Sequence, residues 1–137
     1  MEKKESRILI DTDVIINYFD DHKKYHLQVK SVLTQFEIEK IETYISLVSC
    51  IEVLQGSKSV IEKNRILKKL VSFSELDITI SIGNIAKELI LKYSSSHGLL
   101  LADALIAATA LQLEIPLFSL NTKDFKFIDT LKLYQPK

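Results

Sequence analysis

Ile8-Leu9-Ile10-Asp11-Thr12-Asp13-Val14-Ile15-Ile16-Asn17-Tyr18-Phe19 is the stretch that decides the fold. Its short apolar run reads as a buried strand, and an apolar pattern of helical length follows at once, over residues 12–19. Between the two lies an Asp-x-Asp pair. The carboxylates are therefore expected at the C-terminal end of a strand, the edge of an open α/β sheet where the departing loops leave a ligand crevice. An Asp just before a helix is also a good N-cap, which explains Asp11 taken alone. Whether it does more depends on the acids downstream.

Working outward, the alternation continues. Residues 20–24 are polar enough to end the first helix. Tyr25, Val29, Val32, Leu33 and Phe36 then fall at three- and four-residue steps and mark one face of a second helix. Residues 43–46 read as a strand, and residues 47–55 as a helix closed by Gly56, a natural C′ residue. A basic amphipathic helix is expected over 58–71 and a short strand within 72–78. Ile82, Ile85, Ala86, Leu89, Ile90 and Tyr93 stripe a long helix that stops at 94–98. The helix of residues 99–114 is apolar nearly all round and belongs in the core. Residues 115–120 read as a strand with Pro116 at its beginning, residues 121–125 as a turn leaving it, and residues 131–134 as a last strand. No repeat, low-complexity tract or linker divides the chain.

Strands alternating with helices predict one α/β domain over 1–137, with helices on both faces of a mostly parallel sheet of four to five strands. Asp11, Asp13, Asn121 and Asp124 would all lie at strand C-terminal ends, and Glu52 and Asp103, near helix starts, would project toward the same edge. Each acid has a bland explanation of its own: Asp103 as a first-turn helix starter, and Glu52 as the acid of a Ser49-x-x-Glu52 capping box. None of these explains why the acids should converge.

Composition narrows the chemistry. The 137 residues are 47% hydrophobic and 26% charged, ordinary for a globular domain. Lys plus Arg number 18 and Asp plus Glu 18, so no overall basic field draws in nucleic acid. Lys58, Lys63, Arg65, Lys68 and Lys69 crowd one segment and Lys23 and Lys24 another; a solvated helix face is the simpler reading and a local phosphate-tracking patch the functional one. Cys50 is the sole cysteine, which rules out an internal disulfide and leaves a small core filler. His22, His26 and His97 lack accompanying ligands and read as surface residues, and the isolated Gly56, Gly83 and Gly98 make no phosphate-cradling loop. Met1-Glu2-Lys3-Lys4-Glu5 has no signal-peptide core, and no apolar run spans a bilayer, so a cytoplasmic protein is expected.

Clustered carboxylates repel one another unless a proton or a cation lies among them. Mg²⁺ and Mn²⁺ prefer oxygen ligands and leave positions for water and phosphate oxygens, which suits in-line phosphoryl chemistry. Asp11-x-Asp13 after a first strand is also similar to the nucleophile motif of haloacid-dehalogenase-type phosphatases. Ile15 stands where that motif needs Thr or Val, and no late acidic pair follows.

Four motifs in order, residues 9–14, 49–56, 101–110 and 117–125, resemble those of PIN-domain ribonucleases, in particular VapC-type toxins of toxin–antitoxin pairs. The resemblance covers nearly the whole chain. It implies a PIN-like α/β/α sandwich and an endoribonuclease whose Asp11, Glu52 and Asp103 hold Mg²⁺ or Mn²⁺. Asp124 or Asn121 would complete the acidic pocket, with Asp13 auxiliary. Ser119 is a further auxiliary candidate, and on the patch reading of the basic residues Lys58, Lys63, Arg65 and Lys123 are candidate RNA contacts. The resemblance further implies a homodimer and a cognate antitoxin that covers the groove. Ser119 replaces a common Thr, and Asp129-Thr130 replaces a Gly-containing turn. The competing expectation on the same fold is a catalytically weak module that binds a partner or RNA.

Overall fold

In the computed structural model, residues 6–136 are described, so the N-terminal pentapeptide read above for its lack of a signal lies outside them. Four parallel strands, β1 (Arg7–Ile10), β2 (Glu42–Ser46), β3 (Ser74–Leu76) and β4 (Leu117–Phe118), form one sheet in the order β3-β2-β1-β4. Six helices flank it: α1 (Thr12–Phe19), α2 (His26–Ile38), α3 (Leu47–Gln55), α4 (Val60–Leu70), α5 (Ile80–His97) and α6 (Leu101–Leu113).

The two-residue period of a strand divides the core in two. From β1, Leu9 enters one cluster with Ile82, Ala86 and Leu89 of α5 and Ala104 and Ala107 of α6. Its neighbours Ile8 and Ile10 enter the other, with Val14 and Ile15 of α1 and Val29, Leu33 and Phe36 of α2. In β4, Leu117 and Phe118 divide the same way. Each such side chain contributes about 1.5–3 kcal/mol by burial, and a one-residue slip would send all of them to the wrong layer. Helix α3 serves both layers, giving Val48 to the first cluster and Cys50 and Val53 to the second.

Four expectations need correction or sharpening. The strand read at residues 115–120 shrinks to Leu117–Phe118, because Pro116 has no N–H to donate and Ser119 turns to Asp11. The last strand, 131–134, reduces to a single parallel bridge between Leu117 and Leu133, so the sheet has four strands. Helix α5 runs on through His97 and ends at Gly98, whose φ of 69° supplies the left-handed cap. Gly56 caps α3 at φ −75°, an ordinary right-handed conformation, not the left-handed one expected of a C′ glycine. Among the described residues no helix is long and apolar enough to cross a membrane.

Candidate active site

Strand β1 is flanked by β2 on one side and β4 on the other, so the chain reverses its direction of travel across the sheet at β1. Crevices open at such switch points. Asp11 lies there, only 5% exposed. It does cap α1, its Oδ1 accepting from the Thr12 N–H at 2.8 Å. Its other oxygen accepts from the Ser119 hydroxyl at 2.7 Å, a bond from beyond β4 that capping does not require. Ser119 Oγ in turn accepts the Asn121 N–H at 3.0 Å.

Glu52 does not fold back on its own helix. Ser46 is the N-cap of α3 and already accepts the Val48 N–H at 3.0 Å, which leaves Ser49 buried within the helix. The capping-box reading of Ser49 and Glu52 therefore fails. Instead, Thr12 Oγ1 donates to Glu52 Oε1 at 2.6 Å, with the Ser49 hydroxyl 2.9 Å from the same atom. Thr12 has one hydroxyl proton, and the carboxylate takes it because charge-assisted bonds are the stronger; Ser49 then donates to Thr12. Neither Thr12 nor Ser49 stood out in the sequence as a site residue, although both lie inside the quoted motifs.

Asp13 accepts the Leu120 N–H at 3.4 Å, and the Asn121 side-chain amide donates to Asp124, which lies in a 3-10 turn at Thr122–Asp124. Asp103 projects from the first turn of α6. Burial, then the charge of Asp13, pushes the Asp11 carboxyl up to about 8, against the bonds from Ser119 and Thr12 that pull it down. Burial raises Asp13 as well. Burial, then Asp124, Glu52 and Asp13 in that order, raises Asp103 to about 6. The acids thus share one electrostatic field, and among the described residues the single ion pair, His22 with Asp21, involves none of them.

That donor chemistry fits a divalent cation: hard oxygen ligands, close anionic charge and no protein countercharge. The arrangement is open, however. Among the described residues no three acidic, histidine or cysteine side chains stand as a ready ligand set, because Glu52 is turned to Thr12 and Asp11 to Ser119.

The basic residues are less well gathered. A cavity of about 570 Å³ shares Glu52 as a wall and is lined by Arg65, Lys69 and Lys23 with Phe19, Ile16 and Ile66. Arg65 thus shares a cavity wall with Glu52 alone of the clustered acids, while the Lys63 ammonium is spent on the Ser57 carbonyl at 2.6 Å. Lys58 and Lys123 are exposed and do not line the cavity. Cys50 is buried and 3.3 Å from Glu75, its thiol pushed up to about 12, as suits a filler. His22 is exposed as expected; His26 is half-buried and its ring meets the Asn17 carbonyl at 2.8 Å, fastening the turn between α1 and α2.

Residues 8–131 match the family described as PIN domain. The chain is 30% identical to ribonuclease VapC1 of Methanocaldococcus jannaschii over 144 aligned positions, 98% of this chain and 91% of that protein. It is also similar in structure to a toxin–antitoxin complex from Klebsiella pneumoniae, with a TM-score of 0.72 and 28% identity over 94% of this chain and 99% of that one. VapBC2 of Rickettsia felis, bound to a DNA fragment from its promoter, shares the fold at a TM-score of 0.74 and 21% identity, over 96% of this chain and 99% of that one.

Proposed function

The chain belongs to the PIN-domain family, among the VapC-type ribonuclease toxins, and on that premise we propose that it is an Mg²⁺- or Mn²⁺-dependent endoribonuclease working at the acid cluster. One observation carries the reading: acids from the end of β1, α3, α6 and the turn after β4 share one electrostatic field, where two of them are raised to about 8 and about 6 and, among the described residues, none forms an ion pair. Asp11, Glu52, Asp103 and Asp124 would hold the cation. Asp124 is preferred to Asn121 because its charge reaches Asp103, while the Asn121 amide steadies it. Bound there, a divalent cation lowers the pKa of a coordinated water and offsets charge building on the phosphate.

The chain's own residues do the rest. Ser119 and the Thr12 N–H fix both oxygens of Asp11. Thr12 holds the Glu52 carboxylate, and Ser49 backs Thr12. Burial, and after it the charge of Asp13, which is tied to the Leu120 N–H, favours a proton on Asp11. A cation held by Asp11 would take the place of that proton.

The antitoxin partner seen in related complexes extends to this chain as a proposal: the cavity beside Glu52, apolar at Phe19 and Ile66 and lined by Asp20, Asp21 and Glu62 as well as Arg65 and Lys69, suits an amphipathic segment that would bring a basic side chain to the acids. A homodimer would use the exposed apolar Ile51, Leu100 and Leu101 on the contacting helices α3 and α6. The deciding experiment incubates the purified chain with RNA. Cleavage is expected with Mn²⁺ or Mg²⁺, and loss of it in EDTA or in Asp103→Asn, with the melting curve of the variant retained; equal cleavage in EDTA overturns the mechanism.

A further inference from the structure

An aromatic stack stands at the C-terminal end of α5, joined by short chain segments to two of the acids. His97 is the last residue of α5, and the left-handed Gly98 ends the helix directly after it. The imidazole lies flat on Phe127, ring centroids 4.3 Å apart and planes 15° from parallel. Phe127 is backed by the buried Tyr93 at 5.1 Å, which also meets the imidazole edge-on at 5.7 Å. Ser96 Oγ, 2.8 Å from His97 Nδ1, fixes the rotation of the ring. His97 is nevertheless exposed. With Phe127 on one face, the bare face is the other.

Chain connectivity ties this stack to the acids. Phe127 follows Asp124 by three residues, so their Cα atoms lie within about 11 Å even at full extension, and the intervening turn is folded tighter, with Lys126 N–H bonded to the Thr122 carbonyl. On the other side, residues 98–100 lead from His97 into α6, whose first turn carries Asp103. Lys123 and Lys126, both exposed, lie on the same turn as Phe127.

We propose that His97, supported by Phe127, is a stacking platform for one base of a single-stranded RNA, adjacent to the phosphodiester presented to Asp103 and Asp124. This rests on the ribonuclease reading and narrows its substrate to an unpaired nucleotide, because a base inside a duplex has no free face to offer. Stacking on an aromatic face is tolerant of base identity. Sequence choice, if any, would come from the imidazole Nε2, which has no partner among the described residues. Lys123 and Lys126 are placed for the neighbouring phosphates.

The test uses the full chain carrying Asp11→Asn, without divalent metal, and a short unstructured RNA containing one fluorescent adenine analogue. With His97 present the analogue is quenched on binding. His97→Ala weakens binding about tenfold and abolishes quenching while leaving the salt dependence of binding and the melting temperature unchanged; His97→Tyr retains affinity and quenching. Equal affinity in the Ala variant, equal loss in the Tyr variant, binding without quenching, or no binding at all overturns the proposal. Cleavage assays on the metal-loaded chain separate the two readings. A nuclease whose KM ignores His97→Ala loses only the platform, whereas a chain that binds and quenches RNA but never cuts it loses only the nuclease.

Discussion

Ser49-Cys50-Ile51-Glu52 and Ser59-Val60-Ile61-Glu62 carry the same Ser-x-x-Glu signature ten positions apart and meet opposite fates. At α4 the signature is a working capping box: Ser59 Oγ accepts the Glu62 N–H at 3.1 Å and Glu62 accepts the Lys58 N–H at 3.0 Å. At α3 the helix has already begun, capped by Ser46, so Ser49 lies inside it and Glu52 is free to reach Thr12 on another element. A local motif is thus spent locally only when the helix end needs it. Where an earlier residue has capped the helix, the same acid becomes available to a site.

The sharpest way to break this contrast is to remove the two carboxylates in turn. Glu52→Gln is expected to lower RNA cleavage by at least about 100-fold, beyond the range usual for outer-shell partners, and Glu62→Gln to leave it unchanged in the same assay. Comparable losses would mean that the two glutamates do not differ in role. Thr12→Val, which frees Glu52, is expected to weaken Mn²⁺ binding measured by calorimetry about tenfold, with Thr12→Ser close to wild type.

Titration separates the regions by sign. The bond from the Lys58 N–H holds Glu62 below its usual value, so its contribution to stability is present above the ordinary carboxylate pKa and is lost on acidification. Asp11 is raised from 3.8 to about 8. Its folded state holds a proton that the unfolded chain has released, so stability from this group is full below about 4 and declines as pH rises toward about 8. Melting curves in EDTA should therefore show Tm falling from pH 5 to pH 8, a fall that Asp11→Asn reduces, leaving the share of Asp103, and that Glu62→Gln does not change. A smaller effect is expected at the cap itself, Ser59→Ala costing about 1 kcal/mol by chemical denaturation. Smallest is Gly56→Ala: at φ −75° the new Cβ meets nothing nearer than the Glu52 carbonyl at 3.6 Å, and a gain of about 0.4–1 kcal/mol is expected.

The α/β alternation was legible because Ile8-Leu9-Ile10, Val29-Leu33-Phe36 and the stripe from Ile82 to Tyr93 each carry a period that burial imposes. Asp11, Glu52, Asp103 and Asp124 are expected from the sequence at one sheet edge, and Asp103 does share its field with Asp124 and Glu52; their role as a site is the proposal made above. What escaped depends on partners distant in sequence. Nothing near Thr12 shows that its hydroxyl meets Glu52, 40 residues on. The reduction of β4 to two residues follows from Ser119 turning to Asp11, 108 positions back. The basic cluster is divided by contacts invisible in the sequence: Lys63 bonds the Ser57 carbonyl, whereas Lys23, from a different loop, joins Arg65 at the cavity.

Strand β4 is held on both flanks. On one, Leu9 and Asp11 donate to the Pro116 and Phe118 carbonyls; on the other, Leu117 donates to Lys132 and accepts from Tyr134. Among the described residues the outer clasp is therefore the only backbone restraint on that flank of the segment that delivers Ser119 to Asp11. A protease trimming the chain after Thr130 would touch no acid, yet it would slacken the ribbon on which the crevice's far wall hangs and disarm the protein from behind.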